Sequence, residues 1–171
     1  MLFLVEPSLV YKDSFIEGVR EFQAEGRELS YDLNRISENF GAFLRQLRDD
    51  GEQAKIPADR VPASHFWLID GDEYVGRLTL RHELNETLLS WGGHIGYLIC
   101  PSKRMRGYGK EILRLGLIKA KERGLRRVLV TCDEDNIGSM KIIEHNGGKL
   151  ENIVVVNDSP VRKMRFWIDI A

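Results

Sequence analysis

Two stripes of apolar residues at helical spacing occupy the first third of the chain. Phe15, Val19 and Phe22 fall at positions i, i+4 and i+7, which predicts a helix over about residues 13–25. A longer apolar stripe predicts a second helix over about 35–49, because its members recur every three or four residues. Both helices would bury one side and leave the other in water.

Apolar runs predict strands in the remainder of the chain, and two further helical stripes follow Gly109 and Asn136. Hairpins occur both before and after these helices, which favours a mixed sheet over a fully parallel one. A length of 171 residues predicts one domain over 1–171. The predicted strands are 1–5, 65–69, 74–83, 94–100, 128–132, 153–156 and 161–170.

The predicted strand 74–83 has one apolar and one polar face. Arg77, Thr79, Arg81 and Glu83 alternate with leucines and His82, so they lie on the same side of the strand. A polar face next to a buried one predicts a surface that could contact substrate.

A glycine-containing turn joins the predicted strand 94–100 to the helix after it. Glycine at alternate positions lets the backbone approach a ligand closely. The helix start offers unpaired N–H groups and the positive end of the helix dipole. Together with the cations of Lys103, Arg104 and Arg106, these features predict a site for a phosphate group. The turn reads Arg104-Met105-Arg106-Gly107-Tyr108-Gly109-Lys110.

Two common phosphate-binding loops do not fit this turn. A Walker loop requires glycine where Arg104 stands and serine or threonine where Glu111 stands. A dinucleotide fingerprint requires a third small residue where Ile112 stands, and it should open the first strand-helix unit of the chain.

Composition narrows the choice of ligand and compartment. The net charge is −1, from 25 basic and 26 acidic residues, so no nucleic-acid partner is expected, and a local basic cluster suits a small polyanionic cofactor. Cys100 and Cys132 lie in apolar runs and are expected to be reduced core thiols. No cluster has metal-ligand spacing, and no apolar run has membrane-spanning length, so we expect no metal, no membrane partner and a cytoplasmic location.

Two sequence blocks resemble the GNAT family of N-acetyltransferases, in a style similar to its ribosomal-protein N-terminal acetyltransferases. The first is Ile95–Pro101 followed by Arg104-x-x-Gly107-x-Gly109-Lys110, and the second is a helix that opens with Asn136-x-x-Ser139. The resemblance covers nearly the whole chain. It implies an α/β fold with a central mixed, mostly antiparallel sheet and helices on both faces.

The resemblance also implies how acetyl-CoA is bound. Backbone groups of one strand would bind the pantetheine arm, amides of the following turn the pyrophosphate, and a later helix start the thiol end. These positions are, in that order, Leu98, Ile99 and Cys100, then Arg104, Met105, Arg106, Gly107, Tyr108, Gly109 and Lys110, then Asn136 and Ser139, with Lys141 as a candidate for a CoA phosphate.

The chain departs from the family pattern at the general acid. Many members carry a tyrosine seven residues after the asparagine, where this chain has Ile143. The resemblance to the ribosomal-protein acetyltransferases therefore favours Ser139 for this role, with Tyr97 and Tyr108 as alternatives.

The general base is open among three residues. Family members often carry a glutamate near the start of the strand that precedes the turn, and this chain has His94 there. The ordinary pKa of histidine suits the removal of a proton from an amine. Glu83 and His82 are the other candidates.

The predicted activity is transfer of acetyl from acetyl-CoA to a primary amine of a small molecule or peptide, by direct attack within a ternary complex. Two other hypotheses remain: a non-catalytic acyl-CoA-binding regulator, and an ATP-dependent enzyme. Acceptor choice is expected from the first two helices and the loop 51–64, and the C-terminal hairpin could pair across a homodimer.

Overall fold

Seven strands form one sheet in the order β1-β2-β3-β4-β5-β7-β6, in a computed structural model that describes residues 1–171. All neighbouring strands are antiparallel except β4 and β5, which confirms the predicted mixed sheet. The strands are β1 Leu2–Val5, β2 Ala63–Asp70, β3 Glu73–Arg81, β4 Ile95–Ile99, β5 Arg127–Asp133, β6 Lys149–Val154 and β7 Lys163–Asp169.

Five α-helices connect the strands, one more than predicted. The expected single helix over 35–49 is interrupted at Asn39, whose backbone leaves the helical region (φ −135°, ψ 64°) and whose side chain accepts a hydrogen bond from the Ala42 N–H. An asparagine that caps a new helix explains the break, since its amide competes for backbone groups. The helices are α1 Lys12–Ala24, α2 Leu33–Glu38, α3 Phe40–Asp49, α4 Tyr108–Glu122 and α5 Ile137–His145.

The sheet separates two apolar cores. The core on one face contains Ile95 of β4 together with Ile112 of α4 and Ile143 of α5. The core on the other face packs α1 and α3 on β2, where the Phe15 and Trp67 rings stack with centroids 4.4 Å apart. Helices therefore cover both faces of the sheet, as predicted.

Strands β4 and β5 separate soon after they meet. Only one residue pair, Ile95 and Val130, is in register between them, whereas β5 pairs with β7 along its whole length. Just before this pair, Gly93 lets the two strands approach each other closely. Its φ is +69°, and a Cβ there would lie 2.7 Å from the Leu129 carbonyl oxygen. Beyond Ile95 a gap opens in the middle of the sheet, and we call it the β4–β5 gap.

Candidate active site

The β4 backbone turns alternate residues toward the β4–β5 gap. The Arg81 N–H donates to the His94 carbonyl and the Cys100 N–H donates to the Val75 carbonyl. Gly96, Leu98 and Cys100 therefore use their backbone groups to pair with β3, as does the carbonyl of His94.

The backbone groups of Tyr97 and Ile99 consequently face the gap. Of the three residues expected to present backbone to pantetheine, Ile99 faces the gap, whereas Leu98 and Cys100 turn their backbone toward β3. Tyr97 was not in that set, and its inclusion depends on the pairing register.

Unpaired amides follow β4 at the predicted turn. Five consecutive N–H groups, from Met105 to Gly109, donate no hydrogen bond within the chain, and no side chain caps the first turn of α4. Gly107 precedes this helix in the left-handed region, with φ +87°, and a Cβ there would meet no atom within 4 Å. Such a run of free amides at a helix start can hold an anion.

The cations of this turn divide into two groups. Arg104 forms a bidentate ion pair with Glu25 at the end of α1, with both nitrogen–oxygen distances 2.8 Å. Lys103 pairs with Glu73. Arg106 and Lys110 take part in no ion pair, so they are available to an anionic ligand at the free amides.

Ser139 and Tyr97 meet above the gap on the face that carries α4 and α5. Their hydroxyl oxygens are 2.9 Å apart, and the Ser139 N–H is capped by the Asn136 side chain at 3.0 Å. Burial raises the pKa of Tyr97 to about 12, so its hydroxyl keeps its proton at neutral pH. The pair therefore supplies a proton donor on this face.

His94 has contacts that join β4 to β5. Its side chain is buried, its Nδ1 accepts a hydrogen bond from the Leu129 N–H at 2.9 Å, and its own N–H donates to the Leu129 carbonyl. Burial, with a contribution from the nearby Arg81 charge, lowers the pKa of His94 to about 4. The Leu129 N–H therefore already uses the lone pair that a general base needs.

The other expected site residues are exposed or form contacts elsewhere in the fold. Glu83 lies beyond the end of β3 and is exposed, so it is not part of the strand's polar face. His82 contacts Ser64 at 2.8 Å and Arg123 of the α4 terminus, and burial lowers its pKa to about 4. The Tyr108 hydroxyl donates to Asp70 at 2.7 Å. Lys141 is exposed on α5.

A row of polar side chains crosses the opposite face of the sheet, the one covered by α1 and α3. His65, Thr79 and Gly96 are register partners on β2, β3 and β4, and Asp50 reaches His65 from the end of α3. Sequence reasoning identified the polar face of β3 but missed His65 and Asp50. The position of His65 at the start of an apolar run was a signal, but its partner Asp50 is 15 residues away in the sequence.

The chain belongs to the GNAT acetyltransferase family. The family model for the acetyltransferase (GNAT) domain matches residues 20–149, which include the turn after β4 and the starts of α4 and α5. Among curated protein sequences, none matches the chain at a significant level.

Solved structures share this fold across nearly the entire chain. The Microcin C7 self-immunity acetyltransferase MccE, determined with acetyl-CoA and AMP, superimposes with a TM-score of 0.71 at 15% identity, covering 98% of this chain and 92% of that one. RimJ of Mycobacterium smegmatis, determined with a CoA disulfide, gives 0.68 at 20% identity, with coverage of 98% and 81%. The Salmonella typhimurium acetyltransferase that modifies the N-terminal serine of ribosomal protein L7/L12 gives 0.67 at 17% identity, with coverage of 99% and 95%.

Metal-ligating side chains are dispersed, and no group of three or more could hold an ion. No helix combines the length and the apolar composition needed to cross a lipid bilayer.

Proposed function

We propose that this protein transfers an acetyl group from acetyl-CoA to a primary amine of a small molecule or a peptide. The observation that carries the proposal is the β4–β5 gap continuing into five unpaired amides at Met105–Gly109. The gap offers backbone groups to an extended amide-containing arm, and the amides suit its diphosphate. Membership of the GNAT family and neighbours determined with acetyl-CoA or CoA support this assignment.

Residues near the gap would assist the two ends of the reaction. The amine nitrogen bonds to the thioester carbonyl carbon, the carbon–sulfur bond breaks, and the sulfur leaves as a thiolate that must gain a proton. The Tyr97–Ser139 hydroxyl pair is suitable as that donor. A free N–H of Tyr97 or Ile99 in β4 could stabilise the charge on the carbonyl oxygen, a contribution typically worth about 3 kcal/mol.

The acceptor would approach from the face of the sheet that carries α1 and α3. The α4 and α5 side contains the amides and the Tyr97–Ser139 pair, so the acetyl donor would lie there and the amine would arrive from the other side. Relatives with this fold include an enzyme for a protein N-terminus, which favours peptides with a free α-amine as the first acceptors to test.

Two measurements test the proposal together. Titration calorimetry should detect binding of CoA, and a thiol-release assay with acetyl-CoA should respond to at least one member of an amine panel. The panel contains peptides with free N-termini, the same peptides with blocked N-termini, a polyamine and an amino sugar. Absence of CoA binding would contradict the cofactor site, and binding without release on any amine would contradict the transferase. Family membership does not favour the regulator hypothesis.

A further inference from the structure

A hydrogen-bonded row of three side chains runs toward the β4–β5 gap, on the face of the sheet that α1 and α3 cover. The Asp50 carboxylate lies 2.8 Å from His65 Nε2, and His65 Nδ1 lies 3.2 Å from Thr79 Oγ1. The side chains of Asp50 and His65 are about one-fifth exposed. The row of side chains therefore ends at the Thr79 hydroxyl, on the strand next to β4.

The protonation pattern of these three side chains follows from the carboxylate at one end of the row. A carboxylate can only accept, so His65 Nε2 carries the proton that is donated to Asp50, and Nδ1 keeps its lone pair. The Thr79 hydroxyl then donates to Nδ1. Arg77 Nη1 donates to the same hydroxyl oxygen at 3.5 Å, which leaves the hydroxyl proton free to point at His65 Nδ1. A neutral imidazole with a hydroxyl on one nitrogen and a carboxylate on the other is arranged to accept a proton.

Open space begins beside the Thr79 hydroxyl, where this row of side chains ends. Thr79 is the direct register partner of Gly96, and a Cβ added to Gly96 would meet no atom within 4 Å. Gly96 directly follows Ile95, the last residue that pairs with β5. The Thr79 hydroxyl thus lies beside the root of the gap, on the face opposite the Tyr97–Ser139 pair.

We propose that Asp50, His65 and Thr79 form a proton relay that accepts the proton of the attacking amine. This inference rests on the proposed acetyl transfer. The amine N–H proton passes to Thr79 Oγ1 as the carbon–nitrogen bond forms, and the hydroxyl proton passes to His65 Nδ1. Asp50 stabilises the resulting imidazolium, which afterwards returns its proton to solvent. The departing thiolate takes its proton from the Tyr97–Ser139 pair, which regains a proton from solvent, so the products are the amide and the CoA thiol. Thr79 is the catalytic residue, and His65 and Asp50 act through it.

Several charges surround the imidazole and set when it can act. Burial lowers the pKa of His65, the Asp50 carboxylate opposes this change, and Arg77 and Arg60 add to it. The relay therefore loses activity as pH falls and His65 becomes protonated. A cleft of about 110 Å³ beside His65 gives the ring a route to water. The charged residues around His65 are Asp50 and Arg48 from α3, Arg60 from the following loop, Arg77 from β3 and Glu6 after β1.

Four variants of the full chain test the relay: Thr79→Val, Thr79→Ser, His65→Gln and, as a matched histidine control on the exposed end of α5, His145→Gln. With the best amine of the panel, Thr79→Val should lower kcat by about 10²-fold or more, and Thr79→Ser should restore most of it. His65→Gln should remove the acidic limb of the kcat profile, which His145→Gln keeps. CoA affinity by calorimetry should be unchanged in all four, which also shows that each variant is folded.

Two results would overturn the relay alone. They are a Thr79→Val protein that turns over at the rate of the unmodified chain, and a His65→Gln protein that retains the acidic limb. An unmodified protein that binds CoA yet acetylates no amine would overturn the relay together with the proposed transfer. The behaviour of the unmodified chain therefore separates the two failures.

Discussion

Tyr97 Oη and Ser139 Oγ lie 2.9 Å apart, although the two residues are 42 positions apart in the chain. Tyr97 is on β4 and Ser139 is on the first turn of α5, so the contact depends on α5 packing over the β4–β5 gap. Either hydroxyl alone was a candidate general acid, and the contact makes them one unit. A proton lost by one can be replaced through the other.

Removal of either hydroxyl should slow turnover without weakening cofactor binding. We expect Tyr97→Phe and Ser139→Ala each to lower kcat by about 10²-fold, at the lower end of the range for general acid catalysis, with nearly unchanged KM for acetyl-CoA. Steady-state CoA release measures both quantities. Because the hydroxyls act together, the double variant should be little slower than the worse single variant. Fully additive effects would show that the two hydroxyls act independently.

Gly107 should matter for cofactor binding beyond its effect on stability. Gly107→Ala imposes a left-handed conformation on a residue with a Cβ, at a cost of about 1–2 kcal/mol. Gly124, just beyond the other end of α4, has φ +92° and an equally open Cβ position, so Gly124→Ala is a matched control with the same strain. Chemical denaturation should show similar losses of stability. Only Gly107→Ala should weaken CoA binding in calorimetry, and equal CoA affinities for the two variants would contradict the amide site.

His94 predicts how stability changes with pH. Its pKa is about 4 in the folded protein, against 6.5 for an ordinary histidine, so the unfolded chain binds more protons between these values. The contribution is complete above about pH 6.5 and is lost as pH falls toward 4. Allowing for partial screening by solvent, we expect a loss of about 2 kcal/mol in the free energy of unfolding, measured with urea.

Substitution tests this assignment. His94→Asn keeps an acceptor near the Leu129 N–H but cannot titrate, so its free energy of unfolding should depend less on pH than that of the unmodified chain. His145→Asn, on the exposed end of α5, should keep the full dependence. Identical pH dependence in both variants would remove His94 from this role.

Gly18 should be essential for the packing of α1 on the sheet. A Cβ there would lie 2.6 Å from the Tyr74 ring and 2.9 Å from Cys100 Sγ. We expect Gly18→Ala to lower the free energy of unfolding by about 1–3 kcal/mol, as overpacking usually does. Gly41→Ala is the control. Its Cβ would meet only the Arg45 side chain, at 3.6 Å, and the substitution replaces a flexible glycine within a helix. A thermal melt in which Gly18→Ala is as stable as Gly41→Ala would contradict this packing.

Local patterns in the sequence predicted most of the secondary structure for physical reasons that act over a few residues. The apolar stripe of α1, the glycine that follows α4 and the β-branched run of β5 each favour one type of element through residues that are neighbours in the sequence. The break at Asn39 was not predicted, because an apolar stripe continues through it and only the competing cap reveals it.

The candidate site likewise has features that the local sequence predicts and features that depend on how the strands pair. The chemical types at the turn Arg104–Lys110 are visible in the sequence, because glycines, cations and a helix start lie within seven residues. The free main chain of Tyr97 was not visible, because it depends on which edge of β4 faces β3. The change in the interpretation of His94 has the same origin, since the Leu129 N–H that uses its lone pair belongs to another strand.

The sequence by itself determined the family, the chemical types in the turn after β4 and the order of elements apart from the break at Asn39, since each is encoded in residues close together along the chain. Only the tertiary structure decided which side chains meet at the β4–β5 gap. Asp50, His65 and Thr79 come from three elements, and their contacts exist because strand register and helix packing bring distant residues together. Register is set by the whole sheet, so no local pattern could have predicted this row of side chains.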